Sequence, residues 1–169
     1  MADTLRIRDA EADDLPVILS IYNDAVQHTT AIWNERLVDL ADRRAWWEDK
    51  IAKGHPVLVA ERGGEILGYA TYGQWRVIDG FRATMEHSVY VRADRPRSGT
   101  GTALMGALID TAKARGVHVL IACIEAENAA SIGLHGKLGF RTVGTFREAG
   151  RKFDRWLDLT CMELPLTGA

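Results

Sequence analysis

Thr84-Met-Glu-His-Ser-Val-Tyr-Val91 is an extended run, Arg95 to Gly101 is basic and holds two glycines, and Thr100 to Arg115 carries Leu104, Leu108 and Thr111 at helical spacing. Strand, loop and helix follow one another here. Within the loop, Arg97-Ser98-Gly99-Thr100-Gly101-Thr102 lets backbone come close to a ligand at its two glycines. The helix that follows offers unpaired N–H groups at the positive end of its dipole. That arrangement binds pyrophosphate, and Arg97 is placed to add a direct phosphate contact. A tight strand-to-helix turn with no ligand is the alternative. The dinucleotide fingerprint would need glycine where Leu104 stands, and no Gly-Lys-Ser/Thr of a P-loop is present.

On the amino-terminal side, Thr4 to Arg8 alternates as a strand, and Glu11, Asp13 and Asp14 stand where they would cap a helix carrying Leu15, Ile18, Leu19 and Tyr22. After a loop at His28 to Trp33, Asp39 caps a second predicted helix that ends near Gly54. Pro56 to Ala60 and Glu65 to Tyr72 form a hairpin around Gly63-Gly64. On the carboxy-terminal side, Val117 to Ile124 is apolar enough for a buried strand. Asn128 caps a helix that stops at Gly139, and Phe140 to Thr145 and Trp156 to Leu164 complete a sheet. Strands alternating with helices and no internal repeat imply one α/β domain over 1–169 (α+β in some schemes) with a mixed sheet.

The 169 residues are 47% hydrophobic, enough for one full core, and their charge of −2 with interspersed signs offers no basic stripe for nucleic acid. No apolar run is long enough to cross a bilayer and the Met-Ala-Asp start lacks a secretory pattern, so a cytoplasmic protein with no membrane partner is expected. Cys123 and Cys161 form no CxxC pair and are expected to be buried free thiols. The five histidines lack metal-ligand spacing, so no metal is expected.

With Gly99 and Gly101 after the predicted strand, the chain resembles the GNAT superfamily of N-acetyltransferases, whose Arg/Gln-x-x-Gly-x-Gly/Ala loop holds the pyrophosphate of coenzyme A. Pro96 stands at the first motif position and removes one N–H donor. Asn128-Ala-Ala-Ser131 and the helix ending in Gly139-Phe140 resemble the family's segment beside the pantetheine arm. Within the superfamily, Ile21 to Val26, Thr29 to Trp33, Gly73 to Arg76, Met85 to Val91 and Lys152 to Asp158 are similar to bacterial phosphinothricin and methionine sulfoximine N-acetyltransferases. The resemblance implies the GNAT fold, with a mixed, mostly antiparallel central sheet flanked by helices, acetyl-CoA as cosubstrate and a homodimer.

It also implies site residues. Val89, Tyr90, Val91, Arg97, Ser98, Gly99, Thr100, Gly101, Thr102, Asn128 and Ser131 would contact acetyl-CoA, with strand N–H groups around Val89 polarising the thioester oxygen. Arg76, Val77, Ile78, Glu86, His87 and Ser88 would contact the acceptor, Arg76 suiting a carboxylate, and Trp33, Trp75, Phe81 and Lys152 are weaker candidates. An acceptor amine must shed a proton to attack, which makes Glu86 the candidate base, its alternative being a structural carboxylate. His135 occupies the family's proton-donor position and is either that donor or a pocket support. His87 should point away from Glu86, into a core or interface. The implied activity is direct acetyl transfer in a ternary complex to an amino or imino nitrogen of methionine sulfoximine, methionine sulfone or phosphinothricin. Other amines (polyamine, aminoglycoside, protein amino terminus) and a non-catalytic acyl-CoA sensor remain alternatives.

Overall fold

The computed structural model describes residues 4–95 and 99–166. Its elements run β1 (Arg6–Asp9), α1 (Leu15–His28), α2 (Leu40–Ala52), β2 (Val57–Arg62), β3 (Glu65–Gln74), β4 (Thr84–Val91), α3 (Thr100–Ala114), β5 (Val119–Glu125), α4 (Ala129–Lys137), β6 (Arg141–Lys152) and β7 (Arg155–Pro165). The strands form one sheet in the order β1-β2-β3-β4-β5-β7-β6. Among the described residues only β4 and β5 pair in parallel, so the sheet is mixed and mostly antiparallel, the GNAT arrangement.

Local chemistry explains several boundaries. Gly63 and Gly64 both take positive φ, which the two-residue turn between β2 and β3 requires. Asp39 accepts from the Asp42 N–H and so caps α2, and Asn128 does the same for α4 through Ser131. The acidic cluster at 11–14 has a different use from the one expected. Ala12–Asp14 is a 3-10 turn ahead of α1, and Asp14 accepts from the Glu11 N–H while Arg8 grips it with two hydrogen bonds of 2.7 and 2.9 Å. That guanidinium holds the Asp14 carboxyl below its usual range.

The sheet is covered on both faces. Leu104, Met105 and Leu108 of α3 are fully buried against Ala70, Tyr72, Met85 and Leu120, while Leu15, Ile18 and Ile21 of α1 pack on Val57, Val59 and Tyr69. A full burial of this kind stabilises by roughly 1.5–3 kcal/mol per large side chain. The hairpin β6–β7 lies beyond this sandwich. β6 is twice as long as the expected Phe140–Thr145, exposed along almost its whole length, and broken by irregularities at Thr142/Gly144 and Phe146/Gly150. No helix among the described residues is long and apolar enough to cross a membrane.

Candidate active site

Parallel pairing between β4 and β5 covers only Thr84↔Val119, Met85↔Leu120 and Glu86↔Ile121. Beyond Glu86 the two strands part, although β4 continues to Val91 and β5 to Glu125. The wedge opens into a cleft of about 700 Å³ bordered by β4, β5 and the first turns of α3 and α4. On this side β4 has no ladder partner past Glu86, so its backbone can serve a ligand carrying amides.

Gly99, with φ +74°, turns the chain into α3. Gly101 faces α4 and β4, where a Cβ would meet Leu134 Cδ2 at 3.4 Å and Val91 Cγ2 at 3.7 Å in ordinary contact. Val89, Tyr90, Val91, Gly99, Thr100, Gly101, Thr102, Asn128 and Ser131 all border the cleft, so the structure brings these expected cofactor contacts together. Arg97, Ser98 and Pro96 lie outside the described residues. Glycine-bounded helix N–H groups at one end and an unpaired strand edge at the other fit a diphosphate and an amide-bearing arm respectively.

Glu86 stands where the strands diverge, half-buried. Burial pushes its carboxyl above the usual range, while the Cys123 thiol donating to it and the charge of Lys50 act in the opposite direction. Cys123 is paired in register with Cys161 of β7, the two sulfurs 4.0 Å apart. Burial and the Glu86 charge raise the Cys123 thiol, which makes it a poor nucleophile. Sequence reasoning had no means to see this pair, because only the β5–β7 register brings the two cysteines together.

His87 projects to the opposite face of β4, as alternation predicts. Its ring stacks on His135 and touches Phe140. The Nε2 atoms of the two histidines are 2.8 Å apart, and His135 Nδ1 lies 2.7 Å from the Ser131 carbonyl oxygen. A carbonyl only accepts, so His135 carries its proton on Nδ1 and its Nε2 accepts from His87 Nε2–H. Burial, with the other imidazole beside it, pushes His87 down to about 3, and burial lowers His135 as well, so both are neutral near pH 7. The one N–H of His135 is thus directed at a carbonyl, and the ring stands in the cleft wall. His87 likewise directs no side-chain atom toward Glu86, and what it offers the Glu86 side of the cleft is backbone.

The other expected acceptor contacts divide. Ser88 borders the cleft with Glu86. Arg76, Val77 and Ile78 lie on the exposed segment after β3, Val77 being 96% exposed, and the Arg76 guanidinium sits 4.8 Å over the Trp75 ring; none of the three borders the Glu86 cleft. Trp75 and Phe81 meet edge-on. Lys152 is fully buried and donates to the carbonyls of Thr29 (2.6 Å) and Ile32, fixing the loop after α1. Trp33 donates to the Thr30 carbonyl in that loop and packs so closely on Gly150 that a Cβ there would overlap its ring. Glu125, missed in the sequence, borders the cleft and accepts from Thr30 Oγ1 and the Glu127 N–H. Its signal was a carboxylate ending an apolar strand.

Residues 7–161 match the acetyltransferase (GNAT) domain family. The L-methionine sulfoximine/L-methionine sulfone acetyltransferase of Pseudomonas aeruginosa is 58% identical over 161 residues, covering 95% of this chain and 94% of that one. A phosphinothricin N-acetyltransferase of Alcaligenes faecalis is 38% identical, covering 95% of this chain and 82% of its own. A Salmonella typhimurium structure solved with its cofactor acetyl-CoA superposes with a TM-score of 0.96 at 49% identity, over 98% of this chain and 96% of that one. With its strands parted at Glu86 and its glycines at the start of α3, the chain belongs to the GNAT family of acetyltransferases.

Proposed function

We propose that residues 1–169 form one catalytic domain that moves an acetyl group from acetyl-CoA to the amino or imino nitrogen of a small amino-acid analogue. Methionine sulfoximine, methionine sulfone and phosphinothricin are the favoured acceptors, on the printed activities of the relatives. The observation that carries the chemistry is the position of Glu86 at the point where β4 and β5 diverge. Acetyl-CoA, when bound, supplies the thioester to be cut. The Gly99–Thr102 turn would hold its diphosphate, and the backbone of Val89 to Val91 would align its arm and polarise the thioester oxygen. Glu86 takes the proton that the acceptor nitrogen loses as it bonds to the acetyl carbon, and the carbon–sulfur bond breaks with its electron pair on sulfur, so that coenzyme A leaves as the thiolate. A carboxyl raised by burial is a better base near neutral pH than an ordinary one. Direct attack is favoured over an acyl-cysteine because the Cys123 thiol is held protonated. Ser88, which borders the cleft, is the proposed side-chain contact of the acceptor besides Glu86.

The same reading includes a homodimer. Val143, Phe146, Phe153 and Trp156 leave apolar surface exposed on the β6–β7 hairpin, and a second copy is the proposed cover. Sedimentation velocity should find a dimer in the wild type and a monomer in Phe146→Asp/Trp156→Asp.

Thiol release from acetyl-CoA, followed against the three amino-acid analogues, polyamines and aminoglycosides, tests the activity. Saturable turnover confined to the analogues is expected. Preference for a polyamine or aminoglycoside would overturn the acceptor assignment, and acetyl-CoA binding without turnover on any amine would point to a sensor.

A further inference from the structure

Lys50 lies on α2, one turn after Trp46 and Trp47, which pack on the core. Its Nζ reaches inward and donates to the Tyr72 carbonyl at 2.9 Å. The next residue of β3, Gly73, is in a strand and is absent from the positive-φ positions, so no turn requires glycine there. A Cβ at 73 would instead lie 2.8 Å from Lys50 Nζ. The ammonium occupies the place of the missing side chain.

Gly73 is the register partner of Glu86. Residues opposite one another in an antiparallel ladder project to the same face, with Cβ positions roughly 4.5–5.5 Å apart. The ammonium therefore stands beside the Glu86 carboxyl across the β3–β4 pair. The two do not form a direct ion pair, and their attraction acts through a half-buried region where charges couple more strongly than in water.

The titratable groups around Glu86 come from every packed element. Lys50 faces it from α2, Cys123 from β5 with Cys161 of β7 behind it, and Tyr90 from further along β4. His55, after α2, has its Nδ1 3.8 Å from the Cβ position of Gly73. Asp49 and Lys53 act on Lys50 itself with opposite signs. Of these, Lys50 is the cation that acts on Glu86.

We infer that Lys50 is a positioning residue, the counter-charge of Glu86, which acts through the gap that glycine leaves at position 73. The inference rests on the reading of Glu86 as the base. Burial alone favours a protonated carboxyl, which cannot accept a proton. The ammonium opposes that tendency without occupying the cleft, so the base stays both ionised and accessible. A glycine in mid-strand, otherwise a weakening choice, then has a specific use.

The test compares wild type, Lys50→Met, Lys50→Arg and Gly73→Ala by two readouts: the titration of the Glu86 carboxyl by carbon-13 NMR, and the pH profile of kcat/KM for the acceptor. Lys50→Met should move both the carboxyl titration and the acid limb upward by about a few tenths of a pH unit, with KM for acetyl-CoA unchanged and with Lys50→Arg restoring most of the shift. Gly73→Ala displaces only the flexible end of Lys50 and should move both in the same direction by less, which keeps the test open if Lys50→Met fails to fold. Loss of activity at all pH values with an unmoved carboxyl titration would overturn the inference and leave Lys50 a purely structural residue. A carboxyl titration that moves while the acid limb stays fixed would support the Lys50–Glu86 coupling and break the reading of Glu86 as base.

Discussion

Glu86 and His87 are consecutive residues of one strand, and their surroundings are opposite in kind. The Glu86 side holds a carboxyl, a thiol and an ammonium around a cleft open to a ligand. On the His87 side are two neutral imidazoles and a phenyl ring, closed to solvent, with the Ser131 carbonyl facing the Nδ1 of His135. The proposed proton transfer uses the first face. The second face has titratable groups too, but burial has removed their charge, and their hydrogen bonds serve to join α4 to β4. Residue type alone would have made both faces candidates for catalysis.

The contrast can be broken most severely at Glu86. Glu86→Gln keeps the shape and removes the base, so turnover should fall about a hundredfold or more while acetyl-CoA binding, read by calorimetry, stays near wild type. Retained turnover would move the base elsewhere. The histidine face should respond in stability. His87 is lowered from its ordinary 6.5 to about 3, so the unfolded chain takes up a proton that the folded chain refuses between those values. Stability is therefore complete above pH 6.5 and is lost as the pH falls toward 3, by up to about 1.4 kcal/mol per pH unit. Urea midpoints from pH 7 to 4 should fall more steeply for wild type than for His87→Phe/His135→Leu. Equal slopes would mean the pair is charged in the fold. The smallest effect is expected at Cys123. Cys123→Ala removes one weak donor to Glu86, and the acid limb of kcat/KM should rise by a few tenths of a pH unit with kcat at the plateau changed less than about threefold. A loss like that of Glu86→Gln would instead make the thiol a participant.

Much of the fold was legible because its elements carry one dominant signal each. β4 occupies the expected Thr84–Val91, and the caps at Asp39 and Asn128 lie where side-chain chemistry put them. β6 was only half legible. It is solvent-exposed through Arg147 and Glu148, irregular at two places, and closed by Phe153 and Asp154 at positive φ without a glycine. Neither period-two burial nor turn residues mark such a strand. The same limit applies to the site. Glu86 and the Gly99–Thr102 turn are local features of the chain, whereas Lys50, Cys161 and Glu125 acquire meaning only from register and packing. The proton order of His135 depends on a carbonyl one helical turn away.

The short run of pairing between β4 and β5 has one more consequence. From Glu86 onward the molecule presents two strand edges that diverge too quickly to bond each other. An extended guest with amide groups is thus received as though it were an eighth strand, and the guest in turn ties the β1–β4 half of the sheet to the β5–β7 half. Acetyl-CoA should therefore act as a structural tie between the two halves, slowing hydrogen exchange at Val89–Val91 and across the sheet, and adding about 2.7 kcal/mol of stability when present at a hundred times its Kd.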